Sequence, residues 1–315
     1  MTKLTKNPSD VKNKVKRKEL VQREREQKKK EIRKDRKARE AAGEPKKDPI
    51  TTDMRRIITD DVILENNQDL NEEEDVDEFS QFIKGLEKAK ILITTNERPT
   101  NRSFEFLQDL KNLIPNSFYY PRKKFSVTQI AKIAHERSFT HLLTINERLK
   151  EPHSLSFCII GKPPSLGGPT FTFRLRKYIP SYEIYNKGNP TGHDPELIFK
   201  NFNSCLGRRL SRGIASMFTA NPEFKARTVV TFHNQRDFIF VRHHRYVFKN
   251  EEVGESEHRP ENEKEYKTVV RLQEIGPRFV LQPQKVYSGS FDETYTDYEF
   301  LYRADYYVKR SKFYL

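Results

Sequence analysis

The order of apolar runs in the middle of the chain constrains its fold more than any other feature. Apolar and β-branched residues predict strands at 89–96, 116–123, 141–147, 154–162 and 170–179, and helical spacing predicts helices at 101–115 and 126–138. Ser126 and Gln129 have the spacing of a capping box at the start of the second helix. Strands and helices that alternate in this way indicate a mixed α/β layer.

A second round of elements follows residue 191. Asp194 is expected to cap a helix that has Pro195 at its first position. A further helix is predicted at 206–218, and strands at 227–233, 237–248, 267–276 and 277–287. The acidic stretch 249–266 is expected to be a flexible loop. The two rounds could be related halves of one domain, although no sequence repeat is visible.

The run RDFIFVRHHRYVF at 236–248 combines rings and cations. If it is a strand, Phe240, Arg242 and His244 share one face, whereas Val241 and Arg245 share the other. An arginine can contact phosphate while a neighbouring ring stacks on a base, which favours RNA binding. The alternative is ordinary packing, with the arginines paired to acids such as Asp237. The candidate RNA-binding residues are Arg208, Arg209, Arg212, Arg236, Arg242, His244, Arg245, Arg278 and Lys285.

Charge is unevenly distributed along the chain. The formal net charge is +14, and residues 1–50 carry +10, residues 51–90 carry −7 and the remainder carries +11. This excess suggests an anionic partner, either nucleic acid or an acidic membrane face. Residues 9–42 favour a solvated helix with nuclear-import patches, or alternatively a disordered solubilising tail. The acidic segment at 71–79 resembles a linker that screens the basic body or docks a basic partner.

Motifs of enzymes and cofactor sites are missing from the sequence. The stretch 161–170 lacks the order of a phosphate loop and is interpreted as a connection between strands. His243 and His244 are adjacent, so they point to opposite faces of a strand and cannot readily hold one metal ion. Cys158 and Cys205 are expected to be buried free thiols in a reducing compartment. Neither a signal-peptide core nor a membrane-spanning run is visible, which predicts a soluble intracellular protein.

Several motifs together resemble one family. The runs that resemble the Brix-domain family of ribosome assembly factors are, in chain order, ILITTNERPT, GGPTFTFRL, PELIFKNFNSCLGRRLSRGIASMF, RTVVTFHNQRDFIFVRHHRYVF and RLQEIGPRFVLQPQKVYSG. The resemblance covers about 89–315. HNQRDFIFVRHHRYVF and KRSKFYL resemble one type within that family more than its paralogues. Within EIGPRF, Glu274 and Arg278 could pair with each other and Gly276–Pro277 indicates a turn, or the segment could contact RNA.

The resemblance implies an α/β (α+β) fold of two similar halves with mixed sheets, related to anticodon-binding domains. It implies halves at about 89–185 and 186–289, after a basic extension at 1–50 and a linker at 51–88, with a tail at 290–315. The implied function is that of a non-catalytic nucleolar factor that binds pre-ribosomal RNA of the large subunit. It would work with a protein partner, as a heterodimer, and with other preribosome proteins, without a cofactor, a metal or a membrane.

Three features remain outside that implication. The residues themselves leave open an RNA-processing nuclease that uses the region of His243 and His244, or a nuclear adaptor that binds only proteins. The acidic stretch 249–266 is an insertion relative to the family. The segment after the signature lacks the tryptophan that this type often carries, which leaves the docking of the C-terminal tail open.

Overall fold

The computed structural model describes two compact units, Met1–Arg55 and Arg56–Leu315. The described residues are 13–42, 48–57, 74, 76–160, 167–222, 227–252, 266–289, 291, 297–303 and 312–315. In the first unit, helix α1 (Lys14–Ala41) is exposed along its length. The side chain of Asn13 accepts hydrogen bonds from the N–H groups of Val15 and Lys16, which caps this helix. The predicted basic helix is therefore present over its described residues.

The second unit begins with the first round of elements. These are α2 (Ser80–Ile83), β1 (Ile91–Thr95), α3 (Asn101–Leu113), β2 (Ser117–Tyr119), α4 (Val127–Glu136), β3 (His141–Arg148), β4 (Glu151–Ile159) and β5 (Thr170–Ile179). The capping box at α4 is confirmed, because the Ser126 side chain accepts from Gln129 N and the Gln129 side chain accepts from Ser126 N. All seven elements expected between residues 89 and 179 are present.

The second round contains β6 (Glu196–Lys200), α5 (Cys205–Ala215), β7 (Thr228–Gln235), β8 (Phe238–Glu252), β9 (Tyr266–Glu274), β10 (Arg278–Tyr287) and β11 (Tyr298–Leu301). The helix expected after Asp194 is wrong, because 196–200 is a strand that pairs in parallel with β7. Asp194 instead accepts a hydrogen bond from the hydroxyl of Thr219 at 2.6 Å. The loop expected at 249–266 is wrong at its two ends, since β8 and β9 remain paired as far as Glu252 and Tyr266, and residues 253–265 of that expected loop lie outside the described residues.

One continuous mixed sheet joins the two rounds. Its strand order is β2-β1-β3-β4-β5-β10-β8-β7-β6, with β9 paired to β8 and β11 paired to β10. In the first round β1 pairs in parallel with both β2 and β3, and in the second round β6 pairs in parallel with β7. Helices link these parallel strands, and antiparallel strands follow them in each round. The rounds meet where β5 and β10 run antiparallel. The α/β fold of two similar halves is thus confirmed, and the halves share a single sheet.

Helices cover the two faces of this sheet unequally. On one face, α2, α3 and α5 bury the main core, in which Phe106, Leu110, Leu210 and Ile214 pack on strand residues such as Phe171. On the other face, α4 packs through residues such as Ala134 over β1, β3 and β4. Close approach of α5 to β5 requires a glycine: a Cβ at Gly213 would lie 2.8 Å from Phe171 Cζ.

Residues before β1 and at the end of the chain also pack in the second unit. Phe79 and Phe82, within the expected linker, are buried in or beside the main core. At the other end, the N–H groups of Tyr314 and Leu315 donate to Asp237 Oδ1 at 2.7 and 2.9 Å. These described tail residues are therefore docked, and Asp237 binds them rather than an arginine of β8.

The two cysteines differ in exposure. Cys158 is buried as expected, but Cys205 is exposed at the start of α5, which corrects the expectation for that thiol.

Candidate nucleic-acid interface

Side chains of β5, β8 and β10 that point away from α3 and α5 form a basic surface, which we call the cationic face. In β5, Phe171, Phe173 and Leu175 lie in the main core, so the residues between them point to the opposite side. The same alternation applies to β8 around Val241 and to β10 around Phe279, which are paired with each other. The basic residues of the cationic face are Arg174, Arg176, Lys177, Arg242, His244, Arg278 and Lys285.

A bulge in β5 concentrates positive charge at the centre of this face. The pairing of β5 with β10 shifts between Leu175 and Lys177, so Arg176 is an extra residue in its strand. Its Nε donates to Oε1 of Gln282 at 2.7 Å, and Gln282 is itself the cross-strand partner of Arg174. The bulge therefore adds a guanidinium to the same side as Arg174.

His153, on β4, lies near arginines of the neighbouring strands. Its pKa is lowered, first by burial and then by the positive charges of Arg174, Arg148 and Arg176. Like charges disfavour the protonated form of the imidazole, so this histidine stays neutral near pH 7. Three guanidinium groups act on one site here, which makes this part of the face suited to an anion.

At one end of the cationic face, Arg278 is paired with a carboxylate and Arg242 lies near that pair. Glu274 accepts two hydrogen bonds from Arg278, from Nε and Nη2, both at 2.6 Å. This geometry holds the pKa of Glu274 below its usual value, while burial acts in the opposite direction. Arg242 lies close enough to both groups to feel their charges, and its Nη1 donates to its own strand at Val241 O. The cluster therefore keeps a net positive charge.

His244 belongs to the same cluster. Its pKa is lowered by burial and by the charges of Arg242 and Arg278, although Glu274 acts to raise it. Lys285 lies at the other end of β10, opposite Thr172 of β5. Its Nζ is 6.0 Å from the centre of the Tyr298 ring. Four of the nine candidate residues, Arg242, His244, Arg278 and Lys285, are thus placed on one face of the sheet.

The three arginines of α5 form a separate cluster that is occupied by acids of the same chain. Glu74, Asp77 and Glu78 lie over them, and we call these three residues the acidic strap. Arg208 pairs with Glu74 at 2.9 Å, Arg209 with Glu78 at 2.6 Å and with Glu299 at 3.0 Å, and Arg212 with Asp77 at 2.6 Å. Arg212 also donates to the main-chain oxygen of Glu74. The acidic strap therefore neutralises the arginines of α5 from within the chain.

The acidic strap is fixed in place by the aromatic residues next to it. Phe79 is fully buried, and its ring lies 6.0 Å from that of Phe171 and 5.0 Å from the guanidinium of Arg209. Burial alone would raise the pKa of Asp77, but hydrogen bonds and charge from Arg212 hold it below its usual value. Because the carboxylates already satisfy these guanidinium groups, the arginines of α5 contribute little to a surface for an external anion.

The remaining two candidates are dispersed. Arg236 lies in the turn between β7 and β8, where its φ is +56°. Arg245 is on β8 but points to the opposite side from Arg242, as the alternation in the sequence indicated, and it pairs with Thr228 and Gln273 across the sheet. Neither residue lies on the cationic face.

Sequence reasoning missed part of the cationic face. TFTFRLRKYI was interpreted only as a strand, although its alternation already placed Arg174 on the side opposite Phe173 and Leu175. That alternation was the available signal. The position of His153 next to three arginines could not be found in the same way, because it depends on the pairing of β4 with β5.

The histidines considered for chemistry are poorly placed for it. His243 is buried, its Nδ1 lies 3.2 Å from Gly276 O, and burial lowers its pKa to about 4. His244 points to the other face, as expected. No group of three potential metal ligands occurs among the described residues. Within the same residues, no helix combines the length and apolar character needed to cross a bilayer.

Comparison with known proteins identifies close relatives. A family profile described as Brix domain matches residues 96–285. Ribosome production factor 1 of Pongo abelii is 36% identical, with 98% of this chain and 84% of that protein covered. Ribosome production factor 1 of Saccharomyces cerevisiae is 33% identical and covers 98% of this chain and 99% of that protein. A probable ribosomal biogenesis protein from Aeropyrum pernix K1, solved by crystallography, is 18% identical at a TM-score of 0.41, covering 62% of this chain and 96% of that one.

Proposed function

The chain belongs to the Brix-domain family, in the branch named ribosome production factor 1, and we propose that it binds pre-ribosomal RNA of the large subunit without performing chemistry on it. A role in ribosome biogenesis follows from this membership. The observation that supports RNA binding is the cationic face, where Arg174, Arg176 and Arg242 share one surface with Arg278.

Phosphate contacts provide most of the affinity in this proposal. Arginine donates in a planar fork that matches phosphate oxygens, and several such groups on a rigid sheet bind a polyanion in a defined orientation. Among the described residues, the carboxylate that acts on both Arg242 and Arg278 is that of Glu274, so an excess of positive charge remains for RNA. The half-buried rings of Phe238 and Phe240 lie on the same side and extend the contact surface.

We also propose that the protein acts in the nucleus and nucleolus together with a protein partner. The exposed helix α1 carries the basic patches typical of nuclear-import signals, which supports action in the nucleus and nucleolus. A heterodimer with another assembly factor belongs to the same proposal, alongside contacts with other preribosome proteins. Removal of residues 14–41 from a fluorescent fusion should reduce its nuclear signal, and an unchanged distribution would contradict the import role.

The proposal is tested by binding of the full chain to transcripts of large-subunit pre-ribosomal RNA. The full chain is used because Phe79 and Phe82, which precede β1 in the sequence, are part of the main core. Arg174→Gln combined with Arg242→Gln should weaken binding at least tenfold in fluorescence anisotropy at fixed salt. Arg236→Gln combined with Arg245→Gln removes the same charge away from the cationic face and should change affinity less than twofold. Equal weakening by both pairs would contradict the assignment of the face.

The nuclease alternative has a direct test of its own. Purified protein is incubated with the same transcripts and Mg²⁺, and we expect no cleavage above a mock preparation. His243 is buried beneath the sheet surface, so its ring cannot reach a phosphodiester without local unfolding. Metal-dependent cleavage that disappears in His244→Ala would contradict the proposal.

A further inference from the structure

A second group of rings and cations lies at the edge of the sheet, far along the strand order from β8. Phe118 is on β2 and Tyr120 follows it, so both side chains point to the side of the sheet that α4 covers. They are 42% and 48% exposed, and both stand against the nearly buried ring of Phe139. Ring-centre distances to Phe139 are 6.0 Å from Phe118 and 6.3 Å from Tyr120, with edge-on geometry.

Cations surround these rings. Lys90 Nζ lies 4.4 Å from the centre of the Phe139 ring and donates to Arg137 O at 3.1 Å. The guanidinium of Arg137 lies 5.8 Å from the centre of the Tyr120 ring. The loop that follows β2 adds the exposed side chains of Lys123 and Lys124. Residues 116–139 contain five lysines and arginines and a single acid, Glu136, so the edge is strongly basic.

This combination differs from ordinary apolar packing. The rings of Phe118 and Tyr120 are half-exposed at a sheet edge. Phe139, against which they stand, is already buried in the apolar cluster between α4 and the sheet. A neutral or apolar partner would not require the surrounding cations, and an exposed aromatic face among cations is the arrangement that binds single-stranded nucleic acid. The bases stack on the rings, and the lysines and arginines contact the phosphates.

We propose that Phe118 and Tyr120, with Lys90, Lys123, Lys124 and Arg137, bind an unpaired segment of RNA by base stacking. This inference rests on the proposed function, and it adds a second contact with a different RNA conformation. The cationic face binds phosphates of structured RNA. The edge at β2, in contrast, binds bases of a single strand without strong sequence preference.

The chain contains no tryptophan, which permits a local reporter. In the full chain carrying Tyr120→Trp, an unstructured ten-nucleotide oligouridylate should quench tryptophan fluorescence saturably, because a base stacks on the indole. The control is Phe248→Trp, at a ring that is 47% exposed and also lies under a cation, the guanidinium of Arg227 at 5.2 Å. Its fluorescence should change little with the same oligonucleotide.

A second substitution separates stacking from charge. Phe118→Leu keeps an apolar side chain but removes the ring, and in the Tyr120→Trp background it should weaken oligonucleotide binding about tenfold. Circular dichroism and the thermal midpoint confirm that the variant is folded. Quenching that is the same with and without Phe118 would contradict the inference.

The outcomes distinguish this inference from the proposed function. If transcripts bind through Arg174 and Arg242 but the oligonucleotide leaves the Tyr120→Trp signal unchanged, the edge site is wrong and the proposed function stands. If neither RNA binds, both are wrong. If poly-glutamate quenches the reporter as well as the oligonucleotide does, the edge is a docking site for acidic protein segments, and the RNA assignment is overturned.

Discussion

The carboxylate of Glu274 accepts two hydrogen bonds from the guanidinium of Arg278, each at 2.6 Å, across the turn formed by Ile275, Gly276 and Pro277. The pair closes the connection from β9 to β10 and determines how much positive charge remains beside Arg242. The segment EIGPRF thus has a structural role in the turn, while its arginine also lies on the cationic face.

Glu274→Gln is expected to increase RNA affinity several-fold at low salt, because it removes the carboxylate from a surface that binds an anion. Its cost in stability should be at most about 1 kcal/mol, since Arg278 is 40% exposed and solvent screens the pair. The pKa of Glu274 is lowered in the folded state, so the pair stabilises the fold above pH 4.5 and the stabilisation is lost as pH falls below that value. Anisotropy and urea unfolding measure the two effects, and weaker RNA binding would contradict the prediction.

Asp77→Asn should destabilise the second unit by about 1–3 kcal/mol, because it leaves the guanidinium of Arg212 without its principal partner in a site that is mostly buried. Since the pKa of Asp77 is lowered from 3.8, the difference from the unchanged chain should shrink only in strong acid, below that pH. Urea unfolding measures it, with Glu87→Gln as the control at an exposed acid. A cost equal to that of the control would show that the acidic strap does not stabilise the body.

His141 and His243 should make the fold sensitive to mild acid. Burial lowers their pKa values to about 3 and about 4, whereas an unfolded histidine binds a proton near pH 6.5. The unfolded state then binds more protons below pH 6.5, so stability falls by about 1.4 kcal/mol per pH unit for each histidine. His243→Gln should reduce this slope, between pH 6 and pH 5, by about 1.4 kcal/mol per pH unit, which corresponds to one bound proton. An unchanged slope would contradict the neutral state of His243 in the fold.

Gly213→Ala should destabilise the second unit by about 1–3 kcal/mol, because the added methyl would lie 2.8 Å from Phe171 Cζ. Phe171→Leu makes room at that point, so the double variant should lose less than the sum of the two single losses. The comparison uses chemical unfolding of all four proteins. Strictly additive losses would show that α5 and β5 do not meet at these two residues.

Local signals in the sequence were sufficient for most of the fold. Ser126 and Gln129 identified the start of α4, and alternating apolar residues identified β5, β7, β8 and β10. The error at 194–200 has a tertiary cause. Asp194–Pro195 favours the start of a helix, but the parallel partner β7 and the core contacts of Leu197 and Phe199 favour a strand.

The candidate site was less predictable because its members depend on distant pairings. The partners of Arg209 are Glu78 and Glu299, 131 and 90 residues away, and no local pattern links them. Arg242 and Arg278 come together because Val241 pairs with Phe279. Residue type and alternation predict which side of a strand is basic. The strand order and register of the sheet determine which of these basic residues share a surface and which are neutralised.

Phosphate contacts between RNA and the cationic face are measured by the salt dependence of binding. The logarithm of the binding constant for a large-subunit pre-ribosomal transcript is measured against the logarithm of salt concentration. Arg174→Gln combined with Arg242→Gln should reduce the magnitude of the slope by about 1.4–1.8, the loss of two phosphate contacts. Arg236→Gln combined with Arg245→Gln should leave the slope unchanged. A slope that the first pair does not alter, or that both pairs alter equally, would show that RNA does not bind the cationic face through these phosphate contacts.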